Sequence, residues 1–375
     1  MKKCLPLLAA LLLTTSLAHA ADAPQPILPL LEKCADAQLD LMAGKTPIDW
    51  TAATFEIALA RLSHVSSNPK YQAAEEHIAD TRKWAVNAGR NRRFFADDQA
   101  VGQMYIDLAV TKGDLKLLDP LISEETAMLS QFEDFKPQVQ NGNWDNDKNA
   151  QKMEVIPWWW CDALFMNPAL LVRLSVVTGD NKFIDAMDKQ YDVTTKLLYD
   201  PEEHLYYRDN RFPPMRTKNG KKVFWSRGDG WVMAGLANML TYMPDNYPAR
   251  EKYVARFKAM ADKLLTLQNP DGLWSPSLLD PEDPAYEETS GSAFFVYAFA
   301  WGVNHHLLDQ AKFQPAIDKG WAALVNHLRP DGQLGFVQPV GYQPEKGTPI
   351  NADNTQYYGN GAFILAGTEV MKLHP

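Results

Sequence analysis

Gln268-Asn269-Pro270-Asp271-Gly272-Leu273-Trp274 closes one long apolar-periodic stretch, and Leu328-Arg329-Pro330-Asp331-Gly332-Gln333-Leu334-Gly335 closes another about sixty residues later. That distance accommodates two helices and their loops, and six such pairs consume the chain. Outward from this echo, apolar spacing near three to four predicts helices over 27–42, 52–64, 71–88, 101–110, 115–132, 163–178, 181–198, 231–242, 249–268, 291–306, 313–328 and 361–371. Gly, Pro, Asn and Asp punctuate them, as in Thr178-Gly179-Asp180-Asn181. Consecutive antiparallel hairpins can close into a ring of inner and outer helices, so the expected fold is an all-α (α/α)6 barrel, a six-hairpin toroid. A solenoid of stacked hairpins shares the same periodicity and would offer a groove instead of a funnel.

The first twenty residues carry Lys2 and Lys3, an apolar stretch from Leu7 to Leu13 and Ala18-His19-Ala20 as a small-residue cleavage site. They read as a secretory signal peptide, the apolar stretch being too short to span a bilayer. Residues 21–375 then form a single catalytic domain, since neither a linker nor a low-complexity segment divides them. The chain has 37 Lys and Arg against 46 Asp and Glu, a formal charge of −9 that becomes −11 once Lys2 and Lys3 leave. Clustered cations for phosphate contacts are lacking, which argues against nucleic acid, while a local arginine can still dominate an anionic ligand's pocket. Of three cysteines, Cys4 leaves with the leader, and Cys34 and Cys161 are expected as unpaired thiols. No C-x-x-C or H-E-x-x-H spacing occurs, so no metal site and no cofactor are expected.

Chemistry concentrates in segments that precede apolar helices. In Trp158-Trp159-Trp160-Cys161-Asp162 a carboxyl follows three indoles. Loss of hydration there disfavours its charged form and raises its pKa toward the range useful for proton transfer. The competing reading makes the tryptophans core and Asp162 a helix N-cap. Phe224-Trp225-Ser226-Arg227-Gly228-Asp229-Gly230-Trp231 sets a guanidinium between two indoles, suited to a carboxylate and a stacked sugar ring, or else to a structural ion pair at a helix entrance. Arg93-Phe94-Phe95-Ala96-Asp97-Asp98-Gln99 and Glu287-Glu288-Thr289-Ser290-Gly291-Ser292 are the two other unusual approaches. In a toroid all four would converge at one mouth.

Together, Asp97-Asp98 with Gly102-Gln103, Trp160-Cys161-Asp162-Ala163-Leu164-Phe165-Met166, Trp225 to Trp231, Glu288-Thr289-Ser290-Gly291-Ser292-Ala293 and Tyr358-Gly359-Asn360-Gly361-Ala362-Phe363 resemble glycoside hydrolase family 105. These are the unsaturated rhamnogalacturonyl hydrolases, related to the unsaturated glucuronyl hydrolases of family 88. The resemblance runs from about Asp40 to the C-terminus. It implies an (α/α)6 barrel that removes a 4,5-unsaturated uronic acid from the non-reducing end of lyase-generated oligosaccharides by hydrating the vinyl ether. One acid/base group suffices for that chemistry, unlike the two-carboxylate arrangement of ordinary glycosidases. Carried over by position, Asp162 would be the general acid/base. Asp97 would orient the sugar and keep Asp162 protonated by like-charge repulsion, with Asp98 as its substitute. Trp160 belongs to the same substrate-facing set. Arg227 would pair with the substrate carboxylate or hydroxyls, Trp225 and Trp231 would wall the terminal ring, and Thr289 and Ser290 would contact hydroxyls. Two positions depart from the family pattern. Arg208 stands where a histidine is common, as a substrate ligand with a permanent charge. Asp229 replaces an asparagine and adds a negative charge near the anionic substrate unless it is turned away or paired.

Two further functions fit the residues: an inverting glycosidase on saturated glycans, which needs a second essential carboxylate, and a non-catalytic secreted glycan-binding protein. The density of acids disfavours the latter, because a binding surface gains little from desolvated carboxyls. The expected setting is the periplasm, without membrane insertion once the leader is cleaved, as a monomer or weak homo-oligomer.

Overall fold

A computed structural model describes residues 26–45, 47–86, 95–141, 152–345 and 349–374. The expected leader lies outside the described residues, as do Arg93 and Phe94 of the approach to Asp97. The helices are α1 (Ile27–Met42), α2 (Trp50–Val65), α3 (Lys70–Thr81), α4 (Ala96–Gln99), α5 (Gly102–Lys112), α6 (Asp119–Asp134), α7 (Ala163–Met166), α8 (Pro168–Thr178), α9 (Lys182–Leu198), α10 (Ser226–Tyr242), α11 (Arg250–Leu265), α12 (Thr289–Asn304), α13 (Gln310–Asn326) and α14 (Tyr357–Leu373). Two antiparallel ribbons accompany them: β1 (Gln138–Asn141) with β2 (Lys152–Val155), and β3 (Tyr199–Asp200) with β4 (Leu205–Tyr206).

Packing closes the ring. α2 contacts α5, α5 contacts α8, α8 contacts α10, α10 contacts α12, α12 contacts α14, and α14 returns to α2. The outer helices α1, α3, α9, α11 and α13 lie against this inner ring, and α6 lies beside α9. The fold is therefore the (α/α)6 barrel, and the solenoid is set aside. Burial follows the layers. Every residue of α12 from Thr289 to Val303 is buried, whereas outer α11 buries only Tyr253, Val254, Phe257, Met260, Ala261 and Leu264, an amphipathic stripe.

The echoed segments are the same turn built twice. In one, the Asn269 N–H donates to Leu273 O and the Asp271 carboxylate accepts from the Leu273 N–H; in the other, Arg329 donates to Gln333 O and Asp331 accepts from the Gln333 N–H. Gly272 and Gly332 have φ of +100° and +91°. A Cβ on Gly272 would come 2.5 Å from Lys319 O on α13, and one on Gly332 would come 2.8 Å from Lys33 O on α1. Each turn thus rests on the next outer helix around the ring, and the second joins the end of the chain to its beginning.

Several helix boundaries differ from the sequence reading; α10 starts at Ser226 ahead of 231, and α14 at Tyr357 ahead of 361. The helix expected over 71–88 stops at Thr81, because Lys83 and Trp84 take φ of 55° and 59° and the Trp84 N–H turns back to Ala79 O. The one expected over 163–178 is broken between Met166 and Pro168, where proline lacks the N–H needed to continue the ladder. The extra short helix α4 carries Asp97 and Asp98.

Candidate active site

The inner helices all start at the same mouth, with Asp49 ahead of α2, Asp97 and Asp98 on α4 ahead of α5, Asp162 ahead of α7, Trp225 ahead of α10, Glu288 ahead of α12 and Gln356 ahead of α14. The topology gathers the four unusual segments as expected. Parallel N-termini also make this end of the barrel favourable to anions.

Asp162 stands at the N-cap position of α7, yet its side chain makes no capping hydrogen bond, so the capping reading fails. The residue is 8 % exposed and its carboxyl meets Arg208 instead, with Oδ2 3.4 Å from Nε and 3.6 Å from the Cys161 thiol. Burial pushes its pKa up, while the Arg208 guanidinium and, further off, Arg227 pull it down. Trp160 is buried behind it, stacked on Phe95 at 4.8 Å, which joins the approach to α4 to the approach to α7. Helices α4 and α7 touch, so the aspartates of the two segments belong to one wall.

Arg208 is held by more than Asp162. Its Nη1 donates to Asp209 at 3.0 Å, and Arg211 shares Asp209 through Nε and Nη2, both at 2.8 Å. Its guanidinium lies over Trp159 and Tyr342, 5.2 and 5.8 Å from their centroids. The Cys161 N–H donates to Arg208 O, and an isolated bridge pairs Trp160 with Asp209, so the two segments run side by side. Asp209, Arg211 and Tyr342 were not singled out from the sequence.

Arg227 is placed differently from expectation. It is fully buried, and its Nη1 and Nη2 donate to Gln338 O at 2.6 Å and Pro339 O at 2.9 Å, with Ser290 Oγ 3.4 Å away. Its guanidinium sits between the Trp225 and Tyr358 rings, 4.5 and 4.8 Å from their centroids. It pins the loop after Phe336. Thr289 and Ser290 also turn inward: Thr289 Oγ1 donates to Gly335 O, and Ser290 Oγ donates to Glu288 Oε1. Glu288 additionally accepts from the N–H groups of Ser290, Gly291 and Gln338.

Gln338 is the hub that sequence reasoning missed. Its Oε1 accepts from Trp225 Nε1 at 2.8 Å, its Nε2 donates to Gln343 O and Pro344 O, and its carbonyl takes the Tyr358 hydroxyl at 2.6 Å. Trp225 is thereby fixed at the mouth, 2 % exposed. Trp231 is not a wall but a floor. It is fully buried among Trp50, Phe165, Phe294 and Tyr358, rings contributed by α2, α7, α12 and α14, which places it on the barrel axis.

Asp229 is turned away from the mouth. It is fully buried and accepts the Tyr206 N–H at 2.8 Å, and burial raises its pKa well above the usual carboxylate range. Burial thus favours its protonated form, and its side chain is spent on the Tyr206 N–H. Cys34 and Cys161 are both buried and free.

Known proteins resemble this chain in sequence and fold. The profile of Glycosyl Hydrolase Family 88 matches residues 30–374. An unsaturated 3S-rhamnoglycuronyl hydrolase of Formosa agariphila is 40% identical over 335 residues, 87% of this chain and 85% of the relative. A protein of the same name from Alteromonas sp. (strain LOR) is 31% identical, with 86% and 77% covered. The solved glycosyl hydrolase family 88 protein from Bacteroides vulgatus superposes with a TM-score of 0.80 at 29% identity, covering 93% of this chain and 99% of its own.

Proposed function

Since the chain belongs to glycosyl hydrolase family 88, we propose that it removes a 4,5-unsaturated uronic acid from the non-reducing end of lyase-generated oligosaccharides, with Asp162 as general acid/base. The observation that carries the reading is a buried carboxyl with a raised pKa, facing a permanent cation across 3.4 Å at the mouth of the barrel. Protonated Asp162 delivers its proton to carbon 4 of the vinyl ether, and positive charge develops at carbon 5 and the ring oxygen. The carboxylate left behind takes a proton from water as the water oxygen bonds to carbon 5, so the acid is regenerated within one turnover. The hemiketal then opens and the remaining saccharide departs.

Arg208 supports the first step, because negative charge appears on Asp162 beside a fixed guanidinium. It is also the cation best placed for the uronate carboxylate, a charge-assisted contact. Asp97 orients the sugar and opposes ionisation of Asp162, with Asp98 as its substitute on the same short helix. Trp160 and Trp225 shape the opening, while Arg227, Thr289 and Ser290 contribute by holding the loop that carries Gln338 and Tyr342. The Formosa and Alteromonas relatives are named for rhamnoglycuronyl substrates, so oligosaccharides with rhamnose next to the unsaturated uronate head the substrate panel.

The test follows the ultraviolet band of the unsaturated uronate. Wild type should bleach it, and Asp162→Asn, folded by circular dichroism, should lose roughly 10²-fold or more in kcat. Near-wild-type turnover by that variant sinks the assignment. Turnover of saturated glycans instead would favour the inverting-glycosidase reading. The charged start and short apolar stretch of residues 1–20 support delivery to the periplasm; N-terminal sequencing of exported protein should begin at Ala21.

A further inference from the structure

We propose that Cys161 is a positioning residue whose thiol, together with Arg208, directs the catalytic proton of Asp162 to Oδ1. The inference rests on the reading of Asp162 as the acid. Two polar side chains address the same oxygen of this carboxyl: the Cys161 Sγ is 3.6 Å from Oδ2, and Arg208 Nε is 3.4 Å from it. A proton on Oδ2 would meet the S–H and sit beside the guanidinium charge. On Oδ1 it leaves Oδ2 to accept from the thiol and to face the cation.

The thiol is held in place by its surroundings. Cys161 is wholly buried, its N–H donates to Arg208 O at 2.9 Å, and a Cβ on Gly228 would come within 3.2 Å of Sγ. The first turn of α10 therefore backs the sulfur on one side and the carboxyl takes the other. Residue 161 thus contacts both the acid, through its side chain, and the segment carrying the acid's counter-charge, through its backbone. Burial above all pushes the thiol pKa well above its usual value, so it acts as a donor and not as a nucleophile.

The experiment is a set of pH profiles of kcat and kcat/KM for wild type, Cys161→Ala and Cys161→Ser in the absorbance assay. Loss of a hydrogen bond that favours the carboxylate raises the pKa of Asp162. In Cys161→Ala the alkaline limb should move upward by roughly half a unit, with kcat falling several-fold and KM nearly unchanged. Cys161→Ser keeps a donor and should restore the wild-type limb. A purely packing role predicts lower melting temperatures for both variants with the limb unmoved, and that result overturns the proposal. Should Cys161→Ala fail to fold, the S–H stretch in the infrared decides: it should shift between wild type and Asp162→Asn, and an unchanged band refutes the contact. Activity retained by Asp162→Asn would instead fault the acid/base reading itself.

Discussion

Arg208 couples binding to proton affinity at a single side chain, since it neighbours the acid and is the cation offered to the uronate. Arg208→Ala should raise KM by roughly 10-fold or more, the value of one lost charge-assisted hydrogen bond. It should also move the alkaline limb upward, because the guanidinium lowers the Asp162 pKa and its removal lets the acid form persist to higher pH. A pH series of initial rates measures both. At this scale Asp162 was legible because its desolvation is written in contiguous tryptophans. Gln338 was not, since its partners Glu288 and Trp225 lie 50 and 113 residues away and nothing local marks a glutamine as a hub. Arg227 misled for a related reason: a guanidinium beside indoles suits either a ligand or main-chain carbonyls, and only the returning loop at 338–339 shows which it meets here.

Among the elements, α10 and α7 approach so closely that a Cβ on Gly235 would come 2.1 Å from Leu164 O. Backbone cannot retreat as a flexible side chain can, so Gly235→Ala should destabilise the protein by about 1–3 kcal/mol or more. The strain falls on the helix that Asp162 introduces, so kcat should drop together with the melting temperature; calorimetry and the absorbance assay report the pair. Helix α6 braces the same wall from outside. Asn167 Nδ2 donates to Gln99 Oε1 of α4 at 2.6 Å and lies 3.4 Å from Glu125 Oε2 of α6. The long helices were readable because the outer ones bury a periodic stripe, as α11 does, and the inner ones are apolar almost throughout, as α12 is. The α7–α8 break and the early end of α3 were not, because apolar spacing runs through both and backbone geometry sets the stops.

For the molecule as a whole, Glu125 ties stability to pH. Burial raises its pKa from an ordinary 4.5 to about 8. The folded state thus holds a proton on Glu125 that the unfolded chain releases, so the contribution of this group is full below pH 4.5 and is lost as pH rises to 8. Glu125→Gln should flatten that slope, gaining melting temperature relative to wild type at pH 8 and little at pH 5. Closure makes a second global demand: deleting α14 would uncover α1, α2 and α12 together, and the truncated chain should lose its cooperative thermal transition. The repeated turn made paired helices legible but not ring closure, since a solenoid repeats in the same way; closure shows in the packing of α14 on α2. Nor was the sealing of the axis by Trp231 legible, because its four ring partners come from four separate helices. That seal has a kinetic consequence. A barrel stopped at one end has a single doorway, so the released monosaccharide must retrace the path by which it arrived before another chain end can enter, and long polymers can be trimmed but never threaded.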